Sequence, residues 1–199
     1  MKRIPASILA LMLAAAAGLA LAAEPVLGPP CDGCDIAFRG MPENPPADSR
    51  IAPPGEPGEP LVLDGIVRRA DGTPAEGIIV YGYHTNAKGR YPGRDSRHGE
   101  LRGWAKTGAD GRYRFETIRP GAYPGRTDPQ HIHLQIIEPG RGTYYLDDVV
   151  FEDDSRLVGR HRHDRSNRGG SGIVTPRRDP NGTWHATRDI TLGANIPGY

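Results

Sequence analysis

Residues 107–124 read TGADGRYRFETIRPGAYP, and this stretch determines the fold class that the sequence predicts. The Asp-Gly pair at 110–111 is a turn signal, and apolar and polar residues then alternate from 112 to 118. The Pro-Gly pair at 120–121 ends the alternation. Strands bounded by turns of this kind occur in many β-sandwich modules that carry out no reaction. The stretch therefore predicts a fold and no chemistry.

Further segments on both sides of this strand show the same strand pattern. No helical period lies between them, which favours an antiparallel sandwich or barrel. We predict an all-β, antiparallel β-sandwich of the prealbumin-like kind, with long loops. The polar, glycine-rich residues 153–178 are expected to form a surface loop. The additional predicted strands cover residues 61–68, 78–85, 131–138, 144–151 and 184–192.

The amino-terminal region predicts export. Lys2 and Arg3 precede an apolar run over 8–22 that ends in small residues, as in a cleaved signal peptide over 1–22. A membrane anchor is the alternative, but the run is short for one. Residues 23–59 are rich in proline and show no apolar period, which indicates an extended arm ahead of a domain over 60–199. We therefore expect a periplasmic or secreted protein.

Charge and cysteine content limit the partners of the mature chain. Removal of residues 1–22 leaves 23 basic against 24 acidic residues, so nothing indicates a nucleic-acid or membrane-surface partner. A homodimer is plausible because the arm needs a surface to lie on. The only cysteines, Cys31 and Cys34, predict a local disulfide in an oxidising compartment. A redox-active pair would need a helix after a strand, which this context does not resemble.

The residues that carry chemistry begin with the HIH sequence at 131–133. On a strand, residues two apart project from the same face, so the rings of His131 and His133 point the same way. Ile132, Leu134 and Ile136 then face the core. Two histidines on one face beside an apolar alternation indicate a bound metal ion. They do not identify the metal.

The order of four motifs supplies the missing information. Tyr91 ends NAKGRY, Tyr123 lies in the GAYP of the quoted stretch, HIH follows, and the next strand ends in Phe-Glu-Asp-Asp. In this order the chain resembles the intradiol ring-cleavage dioxygenases, which include the catechol and protocatechuate enzymes. The resemblance covers residues 61–192. The CDGC arm and export signal are similar to those of the secreted branch of that family.

The resemblance implies that Tyr91, Tyr123, His131 and His133 hold one ferric iron. It also implies that Tyr123 is the ligand that leaves when a catechol-type diol chelates the metal. With dioxygen, the bond between the two hydroxyl-bearing carbons is then broken to give a muconate-type diacid. Two phenolate oxygens suit a hard trivalent cation better than zinc or copper.

Two positions depart from the family pattern. Asp128 stands where the family usually has an arginine three residues before the first histidine, and Asp148 stands where a glutamine is expected. Arg126 is the nearest replacement and is our candidate for a catalytic role. These departures leave the iron site intact and concern the efficiency and the choice of substrate.

Two other functions remain open at this point. One is a binding module that keeps the fold without turnover, and the other is a zinc metalloenzyme that uses the paired histidines. A second H-x-H, His161 and His163, lies among arginines whose charge opposes a metal, so we do not expect it to bind one. We expect His84 and His98 to be packing residues.

Overall fold

The structure is a computed structural model that describes residues 25–29, 33–93 and 97–199. The predicted signal peptide and Cys31 lie outside the described residues. Strands dominate the described residues, and helix is confined to a 3-10 turn at Cys34–Phe38 and the short α1, Arg160–His163. The strands are β1 (Asp48–Arg50), β2 (Pro60–Arg68), β3 (Ile79–Tyr83), β4 (Arg102–Lys106), β5 (Arg112–Ile118), β6 (His131–Glu138), β7 (Gly142–Tyr145), β8 (Val149–Phe151), β9 (Ile173–Val174), β10 (Arg177–Arg178), β11 (Trp184–Thr187) and β12 (Ile190–Thr191).

The strands form two sheets, and both are mixed. The first has the order β1-β5-β2-β11-β10 with β12 also on β2, and the second has the order β4-β3-β6-β8-β9 with β7 also on β6. The expected β-sandwich is present, but it is not purely antiparallel. β1 is parallel to β5, β11 and β12 are parallel to β2, and β9 is parallel to β8. Side-chain alternation shows which face of a strand is buried and carries no information on strand direction.

The hydrophobic core lies between the two sheets. Leu63 and Phe115 enter it from the first sheet, and Val80, Leu134 and Ile136 enter it from the second, all with no exposed surface. Each of these side chains stabilises the fold by about 1.5–3 kcal/mol through burial. The alternating pattern of β6 therefore fixes which face of that strand is left for polar residues.

Some predicted strands have different bounds in the structure. The strands predicted over 112–118 and 131–138 have the predicted bounds. The prediction of one continuous strand over 144–151 is wrong. The segment contains the end of β7 and the whole of β8, which pair with different parts of β6 and are separated by residues 146–148. β4 was not predicted, because arginine, glycine and lysine interrupt its apolar pattern. The segment expected to be a surface loop contains α1, β9 and β10.

The predicted arm packs on the sandwich. β1 lies within it and pairs with β5, while Ile51 and Ala52 are buried in the main core. That part of the arm therefore belongs to the sheet. Farther upstream, the Trp104 indole N–H donates to the Ala37 carbonyl oxygen at 2.6 Å and holds the 3-10 turn against β4.

Two further expectations concern the amino-terminal region. Cys34 is disulfide-bonded, but its predicted partner Cys31 lies outside the described residues. In the described part of the chain, the helices are too short and too polar to cross a membrane.

Candidate metal centre

The two histidines of the HIH sequence open strand β6. β6 lies between β3 and β8, with His133 opposite Tyr83 and His131 opposite Val150. The two imidazole rings lie together on one face, with centroids 4.6 Å apart, while Ile132 between them is fully buried. The Tyr83 ring stacks on His133 with centroids 4.6 Å apart and fixes the plane of that imidazole.

Tyr91 and Tyr123 come from two loops that pack backbone against backbone. Tyr91 follows β3, and Tyr123 lies between β5 and β6. The Gly121 amide donates to the Asn86 carbonyl oxygen at 2.9 Å and so joins the two loops. Gly89 has a φ of 71°, and a Cβ there would clash with the carbonyl oxygen of Ala122. Glycine at position 89 therefore allows the approach that brings the two phenols together.

Four side-chain atoms converge at this end of the sandwich. The two phenol oxygens, of Tyr91 and Tyr123, are 2.7 Å apart. The Tyr91 oxygen lies 2.9 Å from His133 Nε2. The Tyr123 oxygen lies 3.1 Å from His131 Nε2 and 3.4 Å from His133 Nε2. The two phenols and two imidazoles that the sequence indicated thus meet at a single point.

Hydrogen bonds on the far side of each ring determine which ring nitrogen carries the proton. His131 Nδ1 lies 2.7 Å from the carbonyl oxygen of Pro129, and His133 Nδ1 lies 2.8 Å from Asp148 Oδ1. Both partners accept hydrogen bonds, so both Nδ1 atoms are the protonated ones. Each Nε2 therefore presents a lone pair to the point where the phenols meet.

The electrostatic environment favours a neutral His131 and an ionised Asp148. Burial, followed by the charge of His133, lowers the pKa of His131 below its ordinary value. Burial alone would raise the pKa of Asp148, but the charge of His133 and its hydrogen bond outweigh that effect and hold the pKa low. Burial raises the pKa of both Tyr91 and Tyr123. A strong nearby cation is therefore needed to ionise these phenols at neutral pH.

The donor set fits a metal ion. Oxygen and nitrogen ligands bind such ions at about 2 Å, so neighbouring ligands of one ion lie roughly 3 Å apart. The spacing of 2.7–3.4 Å between the four atoms meets this requirement. Asp148 also lies within 4.8 Å of both histidines, but its oxygen contacts the proton-bearing nitrogen of His133. Asp148 thus orients the His133 ring and is not one of the four converging groups.

A cavity of about 500 Å³ opens onto this cluster. Tyr123, His131 and His133 line it, whereas Tyr91 does not and instead lines a neighbouring surface pocket with Tyr123. Arg126 is also at its edge, with its side chain 66% exposed and its Nε 2.8 Å from Asp128 Oδ2. The lining residues are Tyr123, Arg126, Asp128, Pro129, His131, His133, Asp148, Val150, Arg160, His161, Asp164 and Arg165.

Comparison with known proteins identifies the family. A family model described as "Dioxygenase" matches residues 45–164, a range that includes all four converging side chains. The chain belongs to the intradiol dioxygenase family. Members of this family use non-haem iron.

Individual relatives of the family match parts of the chain. Catechol 1,2-dioxygenase 1 of Acinetobacter lwoffii is 43% identical over 74 residues, which is 35% of this chain and 24% of that protein. The protocatechuate 3,4-dioxygenase beta chain of Burkholderia cepacia is 34% identical over 117 residues, which is 52% of this chain and 50% of that one. The chain thus spans half or less of the length of these relatives.

A solved structure shares the fold. It is the dioxygenase domain of a dioxygenase carbohydrate-binding protein fusion from Streptomyces sp. SirexAA-E. The TM-score is 0.60 at 24% identity, covering 76% of this chain and 91% of that chain. At this identity the likeness establishes the fold and nothing about the reaction.

The other histidines singled out from the sequence do not belong to the four-atom cluster. His84 is fully buried, and its two ring nitrogens are hydrogen-bonded to Thr85 and Thr117. The ring of His98 stacks on Tyr83 at 3.8 Å. His161 lies at the cavity, with its Nε2 3.5 Å from the Thr127 hydroxyl.

Sequence reasoning missed three contributions to the site of this intradiol family member. The bond of Asp148 to His133 was not foreseen, although Asp148 itself was noted as a departure from the family pattern. The carbonyl of Pro129 and the guanidinium of Arg165 were also missed. A sequence carries no signal for which backbone carbonyl accepts a hydrogen bond. Arg165 lies in an arginine-rich segment, and composition alone does not distinguish it from the neighbouring arginines.

Proposed function

We propose that this protein is a non-haem ferric dioxygenase that cleaves a catechol-type aromatic diol between its two hydroxyl-bearing carbons. One observation carries the proposal: two phenol oxygens and two imidazole Nε2 atoms converge within 2.7–3.4 Å of their neighbours. Because the cluster borders a cavity, a diol could reach it. The membership of the family supports the same reaction class.

Tyr91, Tyr123, His131 and His133 would hold the iron. When bound, ferric iron supplies Lewis acidity, which ionises the phenols and activates an ortho-diol towards dioxygen. The two Nδ1 hydrogen bonds fix the tautomer and the orientation of both imidazoles. The chain itself therefore supplies a preorganised, mixed oxygen and nitrogen donor set.

The two tyrosines have different roles in this proposal. Tyr123 lines the cavity, so its phenolate oxygen would be the one to accept a proton from an incoming diol and to give up its place to it. Tyr91 does not line this cavity and contacts His133, so it would remain in place. This division agrees with the roles that the family resemblance implies.

Purified protein supplied with ferric iron tests the proposal. Tyrosinate bound to ferric iron should give a red to burgundy charge-transfer colour, and ortho-diols should change that colour and then consume dioxygen. Coloured protein that takes up no oxygen with any diol would indicate a binding module. Colourless protein that contains zinc would indicate a zinc enzyme, which the two tyrosines disfavour.

Substitution of the tyrosines links the colour to specific atoms. Tyr123→Phe should weaken the absorption and abolish oxygen uptake, because the proton acceptor at the cavity is lost. Tyr145→Phe is a matched control, since its hydroxyl lies 3.1 Å from that of Tyr83 and does not belong to the four-atom cluster. Unchanged turnover in Tyr123→Phe would contradict the assignment.

We further propose that the chain acts after export, in the periplasm or outside the cell. The apolar segment over 8–22 and the disulfide bond of Cys34 support this location, because disulfides persist in oxidising compartments. Mass spectrometry of the protein secreted by a bacterial host should show a mature chain that begins near residue 23. An intact amino terminus would contradict cleavage.

A further inference from the structure

The cavity beside the proposed metal centre is lined by three arginines, which differ in how they are held. Arg126 is largely exposed and is paired with Asp128 at 2.8 Å. Arg160 belongs to α1 and is exposed. Arg165 is different, because only 14% of its side chain is exposed. Of the three, Arg165 alone presents a cation that is fixed in the wall.

The surrounding backbone and one acid position the Arg165 guanidinium. Its Nη2 donates to the carbonyl oxygen of Asp148 at 2.5 Å, and its Nε lies 3.9 Å from Asp147 Oδ2. That carboxylate is only 6% exposed and already accepts a hydrogen bond from Arg168 Nε at 3.1 Å. The charge of Arg165 is therefore only partly balanced by Asp147.

The guanidinium retains hydrogen-bonding capacity. Its Nη1 donates to no atom in the described part of the chain, whereas its Nε is fully buried and faces Asp147 without a hydrogen bond. The position is also tightly enclosed. A Cβ on Gly172 would lie 2.6 Å from Arg165 Nη2, so a larger residue at 172 would displace the guanidinium.

The acids around the cavity offset this charge only in part. Asp128 is paired with Arg126, and the Asp148 carboxylate, on which the charge of Arg165 acts, also accepts the Nδ1 proton of His133. Asp164 is exposed. A diol that has lost its protons is an anion, and a fixed cation in a partly desolvated wall stabilises an anion more than an exposed, paired one does.

We propose that Arg165 is the guanidinium that binds the anionic diol in this cavity, and that Arg126 does not have this role. The inference rests on the proposed dioxygenase function and names the residue that selects an ionised ortho-diol. Arg165, which follows α1 in the chain, also provides a positive charge where Asp128 carries a negative one.

Binding of 4-nitrocatechol to the iron-loaded protein tests this, because its visible spectrum reports whether it is bound as the anion. Wild type should bind the anion, and Arg165→Met should bind it about 10–100-fold more weakly, as expected for a lost charged hydrogen bond. Arg165→Lys should be intermediate, because lysine keeps the charge without the planar fork. Arg126→Met should bind within about two-fold of wild type.

The charge-transfer spectrum without diol separates direct binding from a structural role. Arg165 also holds the backbone of Asp148, so a purely structural effect would disturb His133 and alter the spectrum of the resting protein. An unchanged resting spectrum with weakened binding in Arg165→Met supports direct contact. An altered resting spectrum, equal binding in Arg165→Met, or a stronger loss in Arg126→Met overturns the inference.

The two proposals fail in different ways. If wild type binds 4-nitrocatechol through Arg165 but consumes no oxygen with any diol, the reaction is wrong and the role of Arg165 stands. If wild type turns over diols and Arg165→Met binds them equally well, the reaction stands and the role of Arg165 is wrong. Absence of anion binding by wild type overturns the role of Arg165 directly.

Discussion

His133 donates its Nδ1 proton to the Asp148 carboxylate across 2.8 Å, and the opposite nitrogen of the same ring faces the Tyr91 oxygen at 2.9 Å. Asp148 lies just ahead of β8, the strand that pairs with the start of β6. Strand pairing therefore places a carboxylate behind a proposed metal ligand. Such carboxylate–histidine pairs fix the ring and increase its basicity.

Replacement of Asp148 should weaken metal binding. Asp148→Leu leaves the Nδ1 proton without an acceptor, so we expect about 10–100-fold weaker iron binding and a shifted charge-transfer band. Asp148→Asn keeps an acceptor oxygen and should lose less. Competition with a chelator measures both affinities. Asp164→Asn, an acid of the same cavity, should behave as wild type, and equal iron retention in Asp148→Leu would refute the supporting role.

The contact between the two tyrosine loops gives a second prediction. Gly89 and Gly125 have nearly the same φ, 71° and 72°, but a Cβ is blocked by Ala122 only at Gly89 and meets open space at Gly125. Both alanine variants should lose about 1 kcal/mol to backbone strain. Gly89→Ala should lose roughly 1–3 kcal/mol more from overpacking, together with the charge-transfer colour.

Urea unfolding and visible spectra of the two glycine variants provide the measurement. Their difference isolates the loop contact, because the backbone strain is shared. If Gly89→Ala and Gly125→Ala were equally stable and equally coloured, the close approach of the loops would not be what positions the phenols.

The attachment of the arm depends on one indole hydrogen bond. Trp104→Phe removes the donor to Ala37, so we expect a loss of about 1–2 kcal/mol in the free energy of unfolding and faster tryptic cleavage at Arg39. Trp184→Phe is a suitable control, because the Trp184 Nε1 has no hydrogen-bond partner among the described residues. Equal protease sensitivity in the two variants would contradict the anchoring role.

Buried His84 predicts a loss of stability in acid. Burial lowers the pKa of His84 from 6.5 to about 4. Between these two values the unfolded chain binds a proton that the folded chain does not, so stability falls as the pH falls. The loss from this group reaches about 3 kcal/mol at pH 4 and is absent above pH 6.5.

Urea unfolding at several pH values measures this effect. His84→Asn should show a smaller decline in the free energy of unfolding between pH 6.5 and 4 than wild type. His163→Asn, at an exposed position of α1, should keep the wild-type decline. An unchanged decline in His84→Asn would show that this histidine is not the group responsible.

Much of the fold follows from local sequence patterns. The strand over 112–118 and the HIH strand were predicted with correct bounds, because both alternate without interruption between turn signals. β4 was missed and the strand over 144–151 was predicted as continuous, because strand partners are chosen by contacts between distant segments. The parallel direction of β1, β9, β11 and β12 was missed for the same reason.

The candidate site, too, was predicted only in part from local sequence patterns. Tyr91, Tyr123, His131 and His133 were identified from residue type and order. Their convergence depends on two loops that meet at glycine residues 89 and 121. The two histidines lie side by side because residues two apart on one strand share a face. The two tyrosines come together only through a contact between loops that are far apart in sequence.

By itself, the sequence determined which face of β6 is buried, because alternation fixes the face of every side chain on a strand. It also determined which phenols and imidazoles are available to a metal ion. Only the tertiary structure paired Asp148 with His133, left the Arg126 side chain largely exposed at the cavity edge and placed Arg165 in the cavity wall. These contacts join residues on separate elements, and their distances depend on how the sheets and loops pack.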